Sequence, residues 1–229
     1  MEAEYSTGTG VSELVVDSRD QVATKLAILR RPETGQEEFR HYCAEIGRLL
    51  AQTATEYVDS EADPVIVPIL RAGLGLLPGV RRVFGSGQVC AAGIRRNEQT
   101  LVPEWYSDEL PGDFAGRPVI LLDPMCATGG SLRTVLDRVR RGHPGPVMAI
   151  CLIAAPDGVR RVLDRPGTVM IAAALDEGLD DNGYIVPGLG DAGDRLFGRE
   201  RSSQPPLPEG RGLGRSSSLP TQAPTGRDG

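Results

Sequence analysis

Between Gln36 and Tyr57 the apolar residues Phe39, Tyr42, Cys43, Ile46, Leu49 and Leu50 recur three and four positions apart, which predicts one long amphipathic helix. The pattern then changes. Val65–Leu70, Val89–Ile94, Pro118–Leu122, Val147–Ala154 and Val169–Leu175 are short apolar runs, each ended by Gly, Pro or a charged residue. Continuous rather than alternating apolarity suits strands covered on both faces, as in a parallel sheet. Ser131–Arg141 and Asp157–Leu163 read as helices between these strands, and another is expected to start after Arg71. The alternation predicts an α/β fold with a doubly wound, mainly parallel sheet and ligands at the carboxyl ends of its strands.

Residues 200–229 break the pattern: they are Ser, Pro, Gly and Arg with three isolated leucines and no periodicity. Such a segment buries too little apolar surface to offset its ordering entropy, so a disordered tail is expected. Residues 1–10 read the same way, leaving 11–199 as the folded domain. Met1–Gly10 has neither a basic nor an apolar leader segment, and no apolar run approaches the length of a membrane span. Cys43, Cys90, Cys126 and Cys151 lack the spacing of a zinc site or a disulfide framework and are expected as reduced thiols. Together these features predict a cytoplasmic protein.

The formal charge of −6 argues against a bulk nucleic-acid partner but leaves room for a small phosphorylated ligand held by local arginines. Lys25 is the only lysine, so a Schiff-base mechanism is nearly excluded and phosphate recognition falls to arginine and backbone N–H groups. Candidate chemistry concentrates in Asp123-Pro124-Met125-Cys126-Ala127-Thr128-Gly129-Gly130-Ser131. A buried strand ends at Asp123, a tight loop follows, and a helix opens at Ser131, so free N–H groups and a positive helix end converge on one point. Thr128 and Ser131 add hydroxyl donors, the two glycines allow close approach of an anion, and Asp123 is placed to accept from sugar hydroxyls. A P-loop is excluded because no Gly-Lys-Ser/Thr follows. His41 and His143 sit in no motif, and no nucleophile–base pair is evident.

The segment Asp123–Ser131 resembles the phosphoribosyl pyrophosphate (PRPP) motif of the uracil phosphoribosyltransferase family, within the type I phosphoribosyltransferase fold. Three further stretches agree in order. Val67-Pro-Ile-Leu-Arg-Ala-Gly-Leu-Gly75 resembles the family's first strand and loop, Arg96-Asn-Glu-Gln-Thr-Leu-Val-Pro103 its flexible arm, and Gly183-Tyr-Ile-Val-Pro-Gly-Leu-Gly-Asp-Ala-Gly-Asp-Arg195 its base-recognition segment. The resemblance runs from about Leu14 to Gly198. It implies a small hood formed from the terminal parts of the chain, PRPP contacts at Arg71, Arg96, Asp123–Ser131 and Asp191, and catalytic roles for Arg71, Arg96 and Asp123. Uracil contacts are implied at Ile185, Gly190, Asp191 and Ala192. Mg²⁺ is expected to arrive with PRPP, with no protein metal site of its own.

The implied reaction joins uracil to PRPP, giving UMP and pyrophosphate in pyrimidine salvage. Two alternatives stay open at this point: a paralogue acting on a modified pyrimidine, and a non-catalytic pyrimidine-nucleotide sensor that regulates RNA. The arm from Asn97 to Pro111 carries Leu101, Trp105, Tyr106 and Leu110, and an exposed apolar arm predicts a homodimer or higher homo-oligomer. The chain departs from the family at three places. Cys126 replaces a usual leucine, Arg95 a frequent tyrosine, and Ala51-Gln-Thr-Ala-Thr55 a Thr-Tyr-Glu-Ala-Thr segment. The last change leaves a GTP effector open.

Overall fold

The computed structural model describes residues 3–7, 10–58, 63–96, 103–142, 145 and 147–198. One compact unit spans Met1–Arg199. The expected tail over 200–229 and the first part of the arm, 97–102, lie outside the described residues.

The elements in chain order are β1 (Ala3–Thr7), β2 (Gly10–Val16), α1 (Asp20–Arg30), α2 (Gln36–Ala54), β3 (Val65–Leu70), a 3₁₀ turn at Ala72–Gly75 and α3 (Leu77–Val80). There follow β4 (Gln88–Val89), β5 (Ala92–Arg96), β6 (Pro103–Asp108), β7 (Val119–Leu122), β8 (Met125–Cys126), α4 (Gly130–Arg140) and β9 (Val147–Ala154). The chain continues through α5 (Pro156–Leu163), β10 (Thr168–Leu175), β11 (Gly178–Leu179), β12 (Ile185–Val186) and α6 (Ala192–Phe197).

The main sheet runs β1-β2-β10-β9-β7-β3-β5-β6, with β4 beside β3 and β8 beside β9. Its interior pairs are parallel, while β1–β2 and β5–β6 are antiparallel. Period-2 alternation sorts the apolar strand residues onto two faces. Ile66, Ile120, Leu122, Ile150 and Ile171 pack with α1, α2 and α3; Val65, Val67, Leu121, Ala149 and Met170 pack with α4 and α5. Each fully buried Ile, Leu or Val contributes roughly 1.5–3 kcal/mol, so both helical layers are tightly attached.

Several sequence expectations are corrected. Ala3–Thr7 is not unstructured: it pairs antiparallel with Gly10–Leu14, as β-favouring Tyr5 and Thr7 allow. The expected strand over Val89–Ile94 is broken into β4 and β5. Val89 pairs with Ile66 and Ala92 with Ile69, and between those two positions stands Pro68, which has no N–H to donate. The arm is a hairpin strand rather than an open loop, because Pro103–Asp108 pairs with β5. Leu110 is buried in the core and Trp105 packs against it, so part of the arm's apolar surface is already covered.

The parallel strands deliver their carboxyl ends to one edge. There β11, β12 and α6 are held against α1 by two arginines. Arg30 on α1 donates to Asp176 and to the Gly188 carbonyl, and Arg195 on α6 donates to the Leu29, Leu189 and Arg31 carbonyls while stacking 4.1 Å over the Phe39 ring. His41 is exposed, and all four cysteines are free and buried.

Candidate active site

Two adjoining cavities occupy that edge. One, of about 400 Å³, is lined by Pro103, Asp123, Met125–Leu132 and Arg161. The other, of about 300 Å³, is lined by Arg71, Asp123, Met125, Ala127, Ser131, Ile185, Gly190, Asp191 and Ala192 among others. Asp123, Met125, Ala127 and Ser131 belong to both, so the loop after β7 forms the wall between them.

The loop is built backbone against backbone. Gly129 has φ +71°, a left-handed conformation that glycine adopts freely, and caps α4. A Cβ there would stand 2.7 Å from the Gly158 carbonyl oxygen, so only glycine lets the loop lie on α5. Its glycine requirement therefore comes from this contact and from its positive φ. The first turn of α4 then points its free N–H groups into the larger cavity. Cys126 is buried beside Cys151. That thiol contact, with burial, holds the Cys151 thiol well above its usual range, so Cys151 acts as a small apolar filler rather than a nucleophile.

Asp123 follows β7, and its N–H donates to the Ile150 carbonyl at 3.2 Å, which fixes the residue to the sheet. Burial pushes its carboxyl up from 3.8 to about 7; the Met125 N–H, donating to Oδ1 at 3.4 Å, pulls weakly the other way. Carboxyls raised in this way at a cavity wall are characteristic of functional sites, though structural groups also show such shifts.

Arg71 follows β3 directly, and its guanidinium lies 5.9 Å from the Phe197 ring. The turn after it presses onto β7: a Cβ on Gly73 would stand 2.3 Å from the Leu122 carbonyl oxygen. Gly73-Leu-Gly75 is thus a packing device that brings Arg71 and Asp123 to one cavity. Arg96 ends β5 opposite Pro103, itself a lining residue; the Arg96 side chain lies outside the described residues.

Ile185, Gly190, Asp191 and Ala192 all line the smaller cavity, and the last two belong to a helix start rather than a simple turn. Asp191 caps α6, accepting from the Asp194 N–H at 2.8 Å, and Ala192 opens the helix. Among the expected contact residues whose side chains are described, Pro124 is the one that lines neither cavity. It is buried, and its carbonyl accepts from Leu152 and Ile153 at 3.0 and 3.1 Å, so it anchors the loop to β9. The sequence reading missed Tyr184 and Arg161 in the lining and the Arg30–Asp176 pair that holds the Gly188 backbone. Tyr184 lies inside the Gly183–Arg195 motif; no local pattern singles out the others.

Among the described residues no group of three or more His, Cys, Asp or Glu is arranged to hold a metal. Asp123 and Asp191 do supply hard carboxylate oxygens to the smaller cavity, which suits an Mg²⁺ ion held largely by substrate phosphates. No helix among the described residues is long and apolar enough to cross a membrane.

The sequence profile of the uracil phosphoribosyltransferase family matches residues 52–199. A uracil phosphoribosyltransferase of Leifsonia xyli is 41% identical over 198 residues, covering 77% of this chain and 94% of that protein. One of Cutibacterium acnes is 44% identical over 210 residues, covering 81% and 98%. A solved structure of a protein from Aquifex aeolicus superposes with a TM-score of 0.75 at 34% identity, over 81% of this chain and 98% of that one. The profile match takes in the phosphate loop, both arginines and the Gly183–Arg195 segment, and the doubly wound sheet is the frame on which these cavities stand. The chain belongs to the uracil phosphoribosyltransferase family, and it is an enzyme of that class.

Proposed function

We propose that the protein transfers the phosphoribosyl group of PRPP to N1 of uracil, releasing pyrophosphate and forming UMP. The observation that carries this reading is Asp123 at the shared wall of two cavities, one built as an anion loop, the other lined by Arg71 and the base-side turn. In PRPP the C1′ atom bears the pyrophosphate and is also the point of attack by the base, so these two sites must be neighbours. The smaller cavity therefore takes the C1′ end. The Thr128–Ser131 loop, across Asp123, takes the 5′-phosphate.

Arg71 and Arg96 are assigned to the pyrophosphate, where planar, permanently charged guanidinium groups offset the charge that grows as the C1′–O bond breaks. The leaving group takes the bonding electron pair, uracil N1 bonds to C1′, and its proton passes to solvent. Ionised Asp123 accepts from the ribose hydroxyls and fixes C1′ against the base. Backbone groups around Ile185 and Gly190 read the pyrimidine edge, with small Ala192 leaving room for it. Mg²⁺ carried on PRPP would neutralise phosphate oxygens from the substrate side.

The test is pyrophosphate release from PRPP with a panel of pyrimidines and purines, with and without EDTA. Uracil should support turnover, cytosine and the purines should not, and EDTA should abolish it. Turnover only with a modified pyrimidine, or UMP binding without turnover, would overturn the assignment. We also infer at least a homodimer, because β6 ends the main sheet and leaves Tyr106 50% exposed. A monomeric mass by light scattering at micromolar concentration would reject it.

A further inference from the structure

We propose that Arg161 is a binding residue for the 5′-phosphate of PRPP and of the nucleotide product. The inference rests on the reading that the Thr128–Ser131 loop receives that phosphate. Among the described residues that line the larger cavity, Arg161 is the only cation. It reaches the cavity from a helix that the nucleotide-binding motif does not include.

The geometry follows from how α5 is seated. Gly158 lies directly on the loop: a Cβ there would stand 2.5 Å from the Ala127 carbonyl oxygen and 2.6 Å from that of Cys126. Arg161 is three residues further on, on the same helical face. Helical side chains lean towards the N-terminus, so its guanidinium is carried back over the turn that touches the loop. The Arg161 backbone is fixed in turn, since its carbonyl accepts from Arg133 Nη1 at 2.6 Å.

Charge accounting on this face singles out the same residue. Arg160 pairs with Asp157, Arg133 with Asp137 and Asp164, and Arg165 with Asp137. Those three guanidinium groups are already matched by carboxylates. Arg161 makes no ion pair with a described residue, is exposed, and faces the cavity where the α4 N–H groups converge. A phosphate dianion offers more acceptor positions than a four-residue loop satisfies, and a guanidinium at the rim supplies two parallel donors. The loop fixes where the phosphate sits; Arg161 strengthens the hold on it.

The experiment compares the wild type with Arg161→Ala and Arg161→Lys. It uses steady-state kinetics in PRPP and in uracil, with UMP and pyrophosphate as product inhibitors. UMP shares the 5′-phosphate with PRPP, whereas pyrophosphate does not, so the two inhibitors report opposite ends of the site. For Arg161→Ala, KM for PRPP and the inhibition constant for UMP should both rise by roughly tenfold or more, the size of one charge-assisted hydrogen bond. KM for uracil, inhibition by pyrophosphate and Tm should stay within twofold and about one degree, because the side chain is exposed and contributes little to folding. Arg161→Lys should recover part of the loss, since charge survives and the two-pronged geometry does not. Unchanged PRPP and UMP constants would overturn the proposal. So would weakened pyrophosphate inhibition with UMP unaffected. Wild-type turnover in the same assay stands independently of these outcomes, so failure of the Arg161 assignment is distinguishable from failure of the proposed reaction.

Discussion

Asp123→Asn should lower kcat/KM for PRPP by at least tenfold, about 1.4 kcal/mol of transition-state stabilisation, while making the folded protein more stable above pH 7. The opposed signs follow from one fact: burial raises this carboxyl from 3.8 to about 7. Between those values the folded protein keeps a proton that the unfolded chain has released. Stability therefore falls as pH rises through that window and reaches its lower plateau above pH 7. Asparagine removes the buried charge. The Tm difference between variant and wild type should grow from near zero at pH 4 to several degrees at pH 8, on the order of 2–4 kcal/mol.

Activity runs the other way. The ionised carboxylate is the form able to accept from two ribose hydroxyls, so wild-type kcat/KM should fall on the acid side of about pH 7. PRPP's own phosphate titrates near pH 6, and that limb remains in the variant; only the Asp123 limb should vanish. A variant with the same kcat/KM, or with an unaltered acid limb, would sink the assignment. One that lost both stability and activity would show that Asp123 is structural.

The sequence made this site legible in unequal parts. The central parallel strands announce themselves because residues buried on both faces leave unbroken apolar runs, and Val147–Ala154 is such a strand from end to end. The phosphate loop is legible because its chemistry is contiguous: Asp123, Thr128 and Ser131 lie within nine residues. The edge built from β11, β12 and α6 is less so. Neither α6, six residues long, nor β11 and β12, two residues each, carries enough periods to register as a pattern. Helix α1 has buried residues at Val22, Leu26 and Leu29, but alanines and a lysine blur its apolar stripe. Contacts made by packing alone were invisible. Arg161 is 30 positions beyond Ser131, and Arg30 is 146 residues from Asp176; only the fold brings either to the site.

That long-range pair gives the second large effect: Arg30→Met should destabilise the protein by about 3 kcal/mol and raise KM for uracil more than tenfold, leaving KM for PRPP within about threefold. Arg30 forks onto Asp176 with Nη2–Oδ1 at 2.5 Å and Nη1–Oδ2 at 2.8 Å, and the same Nη1 donates to the Gly188 carbonyl at 2.7 Å. The Gly188 N–H donates back to Asp176 Oδ2 at 2.9 Å. Both backbone groups of one residue are thus tied to a single ion pair, two positions before Gly190 of the base-side turn. The Asp176 side chain is 3% exposed, so removing its partner leaves a buried, uncompensated carboxylate. Stability alone does not distinguish a positioning role from a merely structural one. The double variant Arg30→Met/Asp176→Leu does, because replacing a buried pair by apolar side chains removes the desolvation penalty and should restore much of the lost Tm. The ties to Gly188 stay broken, however, so KM for uracil should remain more than tenfold high. Recovery of uracil KM in step with Tm would reject positioning by the pair. A double variant that stays unstable is read through Asp176→Asn, in which the side-chain oxygen still accepts from the Gly188 N–H: KM for uracil near the wild type is expected, and a rise as large as that of Arg30→Met would equally reject the role.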